Sequence, residues 1–106
     1  MLFRSRGYIK QNYRFSISPK QIAKEFFVNP SYASRCFSER YGITITDYIS
    51  KVRIDMAKSL LITTNVPIGN ISLNIGYEDA NYFSRVFKRI VGESPSEYRQ
   101  KNQKRQ

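Results

Sequence analysis

Two stretches of the chain carry the same side chains at a constant separation of 50 positions, and this internal repeat limits the possible folds more than any other feature. The stretches are YASRCFSERYG at 32–42 and YFSRVFKRIVG at 82–92. A fixed offset of this kind predicts one supersecondary unit that is built twice. The shared positions are Tyr32/Tyr82, Ser34/Ser84, Arg35/Arg85, Phe37/Phe87 and Gly42/Gly92.

A weaker repeat, offset by 49 positions, precedes each stretch. It predicts a short helix and a tight turn before each of the longer helices, which is the order of elements in a helix-turn-helix. Gly76 is a permissive turn residue in the second copy, whereas the first copy has Phe27 at the matching place and must form its turn without glycine. The matching helical positions are Ile22, Phe26 and Val28 in the first copy and Ile71, Ile75 and Tyr77 in the second.

The residues at the ends of the two longer helices support this order. Asn29 and Asp79 are favourable N-cap residues, and Pro30 suits the first helical position. Gly42 and Gly92 predict that both helices end at corresponding positions.

Each longer helix is amphipathic, with an apolar side that is predicted to face inwards. In the first copy Ala33, Cys36, Phe37 and Arg40/Tyr41 follow helical spacing, and the apolar ones form that side. In the second copy it consists of Phe83, Val86, Phe87 and Ile90. The opposite side has short or cationic side chains, namely Ser31, Ser34, Arg35 and Ser38, and then Asn81, Ser84, Arg85 and Lys88. Short polar side chains allow a helix to approach a DNA groove closely, and arginine can bind the edge of guanine through two hydrogen bonds. Any amphipathic helix has a polar side, but the identical placement of serine and arginine in both copies favours nucleic-acid binding.

The composition limits the class of partner and of chemistry. The 106 residues are enough for one compact unit, or for two very small ones that share a connector. Eighteen Lys and Arg against eight Asp and Glu give a net charge of +10, which predicts a polyanionic partner. There is no histidine and one cysteine, Cys36, which we expect to be a small buried side chain. The sequence has no phosphate loop, nucleophile motif or paired carboxylates, so we expect no enzymatic activity, no metal and no cofactor.

No run of residues is long and apolar enough to span a bilayer, and the N-terminal residues lack the apolar core of a signal peptide. We therefore expect a cytoplasmic protein that associates with the nucleoid when it binds DNA, and no membrane partner.

The helical patterns, taken in order, predict an all-α fold of seven helices. We expect them at about 8–14, 19–26, 30–41, 44–62, 68–75, 80–91 and 95–99. Ser18–Gln21 and Ser94–Glu97 have the spacing of capping boxes, and Thr44 with Asp47 forms a looser capping pair. The apolar side of the longest helix is predicted to be Tyr48/Ile49, Val52, Met56, Ala57, Leu60 and Leu61.

The runs NPSYASRCF at 29–37, ISLNIGYEDANYFSRVFKR at 71–89 and GESPSEYR at 92–99 resemble the DNA-binding domain of AraC/XylS-type bacterial transcription regulators. The segment VRIDMAK at 52–58 and the opening at 8–13 are most similar to response-regulator members. The resemblance implies two helix-turn-helix units, a homeodomain-like pair, at 8–45 and 64–99. A linker helix at 46–63 would join them, and a basic tail would follow at 100–106.

The resemblance also implies which side chains contact DNA, with the two longer helices in successive segments of the major groove. Base-contacting residues would be Ser31, Ser34 and Arg35 in the first unit and Ala80, Asn81 and Arg85 in the second. From the net charge and the polar faces of the helices, we also expect contacts to the DNA backbone from Lys20, Ser38, Lys51, Arg53, Ser84, Lys88 and Arg89. The chain has Ser72 where the family usually has alanine, and we expect the Ser72 hydroxyl to bond to the backbone. Ala80 can offer only methyl contact to a base.

Members of this family usually carry an effector-binding, receiver or dimerisation region before this module. We therefore expect the chain to be a domain of a longer bacterial regulator that acts as an activator, with a short stand-alone member of the family as the alternative. We expect the domain to be monomeric alone and able to form a dimer in a longer parent protein.

A second hypothesis is a basic helical module that docks on an acidic protein such as RNA polymerase. The doubled polar face argues against this as the only function, because one docking surface would not require it. Binding to a membrane surface would require basic residues beside one exposed apolar face, and binding to single-stranded nucleic acid would require an open aromatic platform. The sequence predicts neither arrangement.

Overall fold

The computed structural model describes residues 4–103, and within that range it consists of seven α-helices without a strand. The predicted all-α class with seven helices is confirmed. The first three residues, and residues 104–106 of the predicted basic tail, lie outside the described residues. The helices are α1 Ser5–Asn12, α2 Pro19–Glu25, α3 Pro30–Tyr41, α4 Ile45–Thr63, α5 Ile68–Asn74, α6 Ala80–Val91 and α7 Pro95–Asn102.

The chain divides into two compact units, and the boundary falls between Val52 and Arg53, inside α4. Unit 1 therefore contains α1, α2, α3 and the first part of α4. Unit 2 contains the remainder of α4 together with α5, α6 and α7.

The core of unit 1 combines one or two apolar side chains from each of its helices. Ile9 of α1 and Ile22 of α2 pack with Phe37 of α3, and Ile45 and Ile49 of α4 complete the cluster. Ile9 and Ile22 are both fully buried. Burial of one such side chain stabilises a fold by about 1.5–3 kcal/mol, so this cluster fixes where α3 lies in unit 1.

Unit 2 has a larger aromatic component. The rings of Phe83 and Phe87 on α6 meet edge to face with centroids 5.8 Å apart, and Phe87 meets Tyr98 of α7 in the same way at 5.5 Å. Aromatic pairs with this geometry contribute about 0.5–1.5 kcal/mol beyond their buried area. These contacts hold α6 against α7, while Ile71 and Ile75 of α5 are also fully or almost fully buried.

The apolar side predicted for α4 was partly wrong. Ile54 is almost completely buried, although it was not on the predicted side, and Met56, which was on it, is 38% exposed. The buried positions of α4 are Ile45 and Ile49 in unit 1, followed by Ile54 with others in unit 2. Each unit buries its own set of α4 side chains, so one continuous helical periodicity could not predict both sets.

Two other inward positions need correction. Ile90 is 46% exposed, because the buried residues of α6 end at Phe87 and its last turn is at the surface. Cys36 is half-buried rather than buried. Tyr41 is half-buried and packs on Phe37 with ring centroids 4.7 Å apart.

α7 closes unit 2 by binding the end of α4. The Arg99 side chain donates to the carbonyl oxygens of Leu61 (3.1 Å) and Thr64 (3.2 Å). Gln103 donates to the Thr64 carbonyl at 2.8 Å and to the Asn65 side chain at 3.2 Å. The last carbonyls of a helix have no partner within the helix, and these contacts satisfy them. α7 also runs to Asn102, beyond the predicted end at Arg99.

The predicted capping interactions are present at the starts of the helices. Ser94 and Glu97 form both arms of a capping box at α7, and Ser18 forms its arm at α2 by accepting from Gln21 N. Thr44 Oγ1 accepts from Asp47 N at 3.0 Å at the start of α4. None of the helices in the range 4–103 is long and apolar enough to cross a membrane.

Candidate nucleic-acid interface

α3 and α6 begin with the same cap geometry. Asn29 Oδ1 accepts from the backbone N–H groups of Ser31 (2.8 Å) and Tyr32 (3.3 Å). Asp79 Oδ1 accepts from Asn81 N (2.8 Å) and Tyr82 N (3.3 Å). The two helices therefore start in the same way, although one cap is neutral and the other is a carboxylate.

The two helices also end in the same way, and each is 12 residues long. Gly42 and Gly92 adopt left-handed backbone conformations, with φ of 71° and 99°. The N–H group of Gly42 donates to Ser38 O, and that of Gly92 donates to Lys88 O, at 2.8 Å in both cases. The bounds predicted for both longer helices are confirmed.

The turns before α3 and α6 share their hydrogen bonds. Val28 N donates to Ala23 O at 2.9 Å, and the corresponding bond from Tyr77 N to Ser72 O is 3.0 Å. The turn residue has a positive φ in both copies, 57° at Phe27 and 107° at Gly76. Each short helix, turn and longer helix therefore forms a complete helix-turn-helix.

Three residues predicted to contact bases in unit 1, Ser31, Ser34 and Arg35, are spaced as neighbours on one side of α3. In unit 2 Asn81 and Arg85 are spaced in that way on α6, whereas Ala80 is adjacent to Asn81 in sequence and lies about 100° away around the helix. Most of them are exposed, and Ser34 is half-buried. The exposed members are Ser31, Arg35, Ala80, Asn81 and Arg85.

The residues predicted to contact the DNA backbone vary more in their exposure. Ser38, Ser84 and Arg53 are half-buried, and the Arg53 guanidinium carbon lies 5.1 Å from the centroid of the Tyr77 ring. The exposed members are Lys20, Lys51, Lys88 and Arg89.

Tyr32 and Tyr82, for which no contact was predicted, lie on the same helices one turn before the shared arginines. Their side chains are 47% and 49% exposed, so neither is a core residue. The guanidinium carbon of Arg35 lies 5.6 Å from the centroid of the Tyr32 ring, and that of Arg85 lies 5.8 Å from the Tyr82 ring. The signal was present in the sequence, because both tyrosines precede the shared arginine by one helical turn.

Two smaller predictions also concern this region. Ser72 is fully buried and its hydroxyl donates to the Tyr77 carbonyl at 3.3 Å, so the expected bond to the backbone is confirmed. In the part of the chain that the structure describes, no group of three or more His, Cys, Asp or Glu side chains could hold a metal ion.

Comparison with known proteins identifies the family. A helix-turn-helix domain family matches residues 22–101. The C-terminal domain of AraT, a response regulator from Geobacillus stearothermophilus, is 31% identical and superposes with a TM-score of 0.96 over 99% of this chain and 88% of that one. The C-terminal domain of the response regulator yesN from Fusobacterium nucleatum is 29% identical, with a TM-score of 0.88 over 90% of this chain and 93% of that one.

The chain belongs to the AraC-type family of helix-turn-helix transcription regulators. The arabinose operon regulatory protein of Escherichia coli is 42% identical over 78 residues, which are 74% of this chain and 27% of that protein. The chain thus spans about a quarter to a third of the length of these relatives, since it also covers 32% of the Bacillus subtilis regulator YisR. This AraC-type domain is a sequence-specific DNA-binding domain for transcription regulation, as its sequence predicted.

Proposed function

We propose that α3 and α6 enter successive segments of the major groove on duplex DNA, and that each reads bases through the exposed side of its first turns. The observation that carries the proposal is the duplicated surface, on which Arg35 and Arg85 occupy the same position in two helices with the same caps. A single recognition helix would not require the second copy. Two copies on one chain suit a binding site with two half-sites.

The proposed base contacts differ between the units. Ser31, Ser34 and Arg35 offer hydrogen-bonding groups in unit 1, whereas Ala80 offers a methyl group that can pack on the methyl group of thymine. In unit 2 the polar contacts would come from Asn81, which suits adenine, and from Arg85, which suits guanine.

Phosphate contacts would set affinity and register without selecting a sequence. The exposed side chains of Lys20, Lys51, Lys88 and Arg89 support this role, as does the net charge of +10. Arg53 supports it less, because its guanidinium group lies over the Tyr77 ring and is half-buried. Ser38 and Ser84 also support it less, because both are half-buried.

We further propose that the domain is a monomer when isolated, that it acts in the cytoplasm at the nucleoid, and that it has no catalytic role. Contact with RNA polymerase is also proposed, and the strongly basic surface supports an acidic partner of that kind. Crosslinking of DNA-bound domain to purified polymerase would test this contact separately from DNA binding.

The test of the DNA proposal compares two arginines that are proposed to contact bases with a lysine that is proposed to contact a phosphate. Arg35→Ala and Arg85→Ala should each weaken binding to the preferred site by about 1–3 kcal/mol and relax discrimination at one or two base pairs. Lys88→Ala is the matched control, and it should weaken binding to all sequences alike and reduce the salt dependence by about one phosphate. An equal loss on every sequence for both arginine variants would contradict the assigned base contacts.

A further inference from the structure

The exposed tyrosines of α3 and α6 form the same pair with the shared arginine in both units. Tyr32 lies 5.6 Å from the Arg35 guanidinium carbon, and Tyr82 lies 5.8 Å from that of Arg85, measured to the ring centroids. A guanidinium group within about 6 Å of an aromatic centroid is attracted by the ring. The pair therefore recurs in two helices that also share Ser34/Ser84 but differ at most other surface positions.

The two tyrosines have different neighbours. A hydrogen bond with the Cys36 side chain, one turn along α3, raises the pKa of the Tyr32 hydroxyl. In unit 2 the Tyr82 ring meets Tyr77 at a centroid distance of 5.9 Å and an angle of 60°. Tyr77 is 6% exposed and also contacts Phe83, so it provides a fixed support. The neighbours of the two tyrosines thus differ, whereas the tyrosine–arginine pair itself is present in both units.

The geometry of a guanidinium group explains how the pair could act. Guanidinium is planar, and contact with an aromatic ring can occupy its face while its N–H groups remain at the edges. Those edges supply the two parallel hydrogen bonds that bind O6 and N7 of guanine. A ring beside the arginine restricts its long, flexible side chain, so less rotamer entropy is lost when it binds a base.

We propose that Tyr32 and Tyr82 are positioning residues, which hold Arg35 and Arg85 ready to bind a base edge in the major groove. This inference rests on the proposed function, because it assumes that both arginines contact bases. It assigns the tyrosines an effect on sequence discrimination that acts through the arginines and not through their own contact with DNA.

Two substitutions at each tyrosine distinguish the contribution of the ring to binding from that of the hydroxyl group. Tyr82→Leu removes the ring and should lower affinity for the preferred site about two- to fivefold, with a smaller effect on unrelated duplexes. Tyr82→Phe keeps the ring and should retain affinity within about twofold. Tyr32→Leu and Tyr32→Phe should behave in the same way in unit 1. Binding would be measured by fluorescence anisotropy, after circular dichroism has established that each variant is helical.

A double-mutant cycle then tests whether tyrosine acts through arginine. In the Arg85→Ala background, Tyr82→Leu should have no further effect on affinity or on base discrimination. The same two- to fivefold loss in both backgrounds would overturn the inference, because tyrosine would then contact DNA directly. A loss in Tyr82→Phe equal to that in Tyr82→Leu would also overturn it, since the hydroxyl and not the ring would be responsible.

The outcomes also separate this inference from the function on which it depends. If the unsubstituted domain binds no duplex with sequence preference, the proposed function fails. If it binds with preference, Arg85→Ala relaxes that preference and Tyr82→Leu changes nothing, only the positioning role fails.

Discussion

Phe27 has a backbone φ of 57°, in the left-handed region, at the position in unit 1 that corresponds to Gly76 in unit 2, where φ is 107°. The same turn is thus built once with glycine and once with a bulky side chain. The Phe27 side chain is 92% exposed, so packing does not compensate for the backbone conformation. A left-handed conformation costs a non-glycine residue roughly 1–2 kcal/mol.

We predict that Phe27→Gly makes the domain more stable. Relief of the left-handed conformation should exceed the greater flexibility of glycine in the unfolded chain, for a net gain of about 0.5–1 kcal/mol. Thermal or urea unfolding followed by circular dichroism would measure the change. Gly76→Ala is the matched variant in unit 2 and should lower stability by about 1 kcal/mol or more. A Phe27→Gly variant that is less stable than the unsubstituted domain would contradict the explanation.

The N-cap residues of α3 and α6 are Asn29 and Asp79. Replacing each by the other residue type should change DNA affinity in opposite directions. Asp79→Asn keeps the oxygen that accepts from Asn81 N and Tyr82 N but removes a negative charge from the start of α6. At a distance of roughly 10 Å from a phosphate, one charge in water changes the free energy by about 0.4 kcal/mol, so affinity should rise about twofold. Asn29→Asp should lower affinity by a similar factor.

Anisotropy titrations at low and moderate salt would measure both cap variants. Both effects should shrink as salt increases, because exposed charges are screened. If Asp79→Asn instead lowers affinity on the preferred site alone, then Asp79 contacts a base and its role must be revised.

Arg99 should contribute more to stability than a surface arginine usually does. Its side chain binds two carbonyl oxygens at the end of α4, and hydrogen bonds to charged groups contribute roughly 1.5–3 kcal/mol. Arg99→Ala should therefore lower the free energy of unfolding by about that amount. Lys101→Ala is the control, because Lys101 is 73% exposed and makes a 3.8 Å ion pair with Glu93. It should change stability by less than about 0.5 kcal/mol, and similar losses in the two variants would contradict the anchoring role.

The capping box of α7 should make stability depend on pH. Hydrogen bonds from the Ser94 backbone and side chain hold the pKa of Glu97 below its ordinary value of 4.5. Because the pKa is lower in the folded chain than in the unfolded one, the stabilisation is complete above about pH 4.5 and is lost as pH falls through the folded value. Glu97→Gln should lower the melting temperature at pH 7, and the difference from the unsubstituted domain should narrow below pH 4. A difference that stays constant across this range would show that the charge of Glu97 is not involved.

The parts of the fold that local chemistry determines could be predicted from the sequence. The bounds of α3 and α6 followed from Asn29, Asp79 and two glycines, because caps act within one turn of the residue that forms them. The polar surface of both helices followed from periodicity, and the repeat supplied an internal check on it.

The parts of the fold that depend on packing between helices were harder to predict from the sequence. Ile54 was missed and Met56 was misplaced because α4 contributes to two cores, and a sequence pattern does not indicate where one core ends. The contacts from Arg99 to the end of α4 join residues more than 30 positions apart, so no local sequence pattern could predict them. Tyr32 and Tyr82 were overlooked because an aromatic residue on an amphipathic helix is more often buried than exposed.

Selection of bound sites from a random duplex library, with the unsubstituted domain as bait, is the most direct test of the central claim that both units read DNA. We predict a motif of two blocks with centres about one helical turn apart, roughly 10–10.5 base pairs. Arg35→Ala should weaken the sequence preference within one block, and Arg85→Ala should weaken it within the other. A single block that both variants degrade alike, or no enriched sequence from a fully helical domain, would contradict the account.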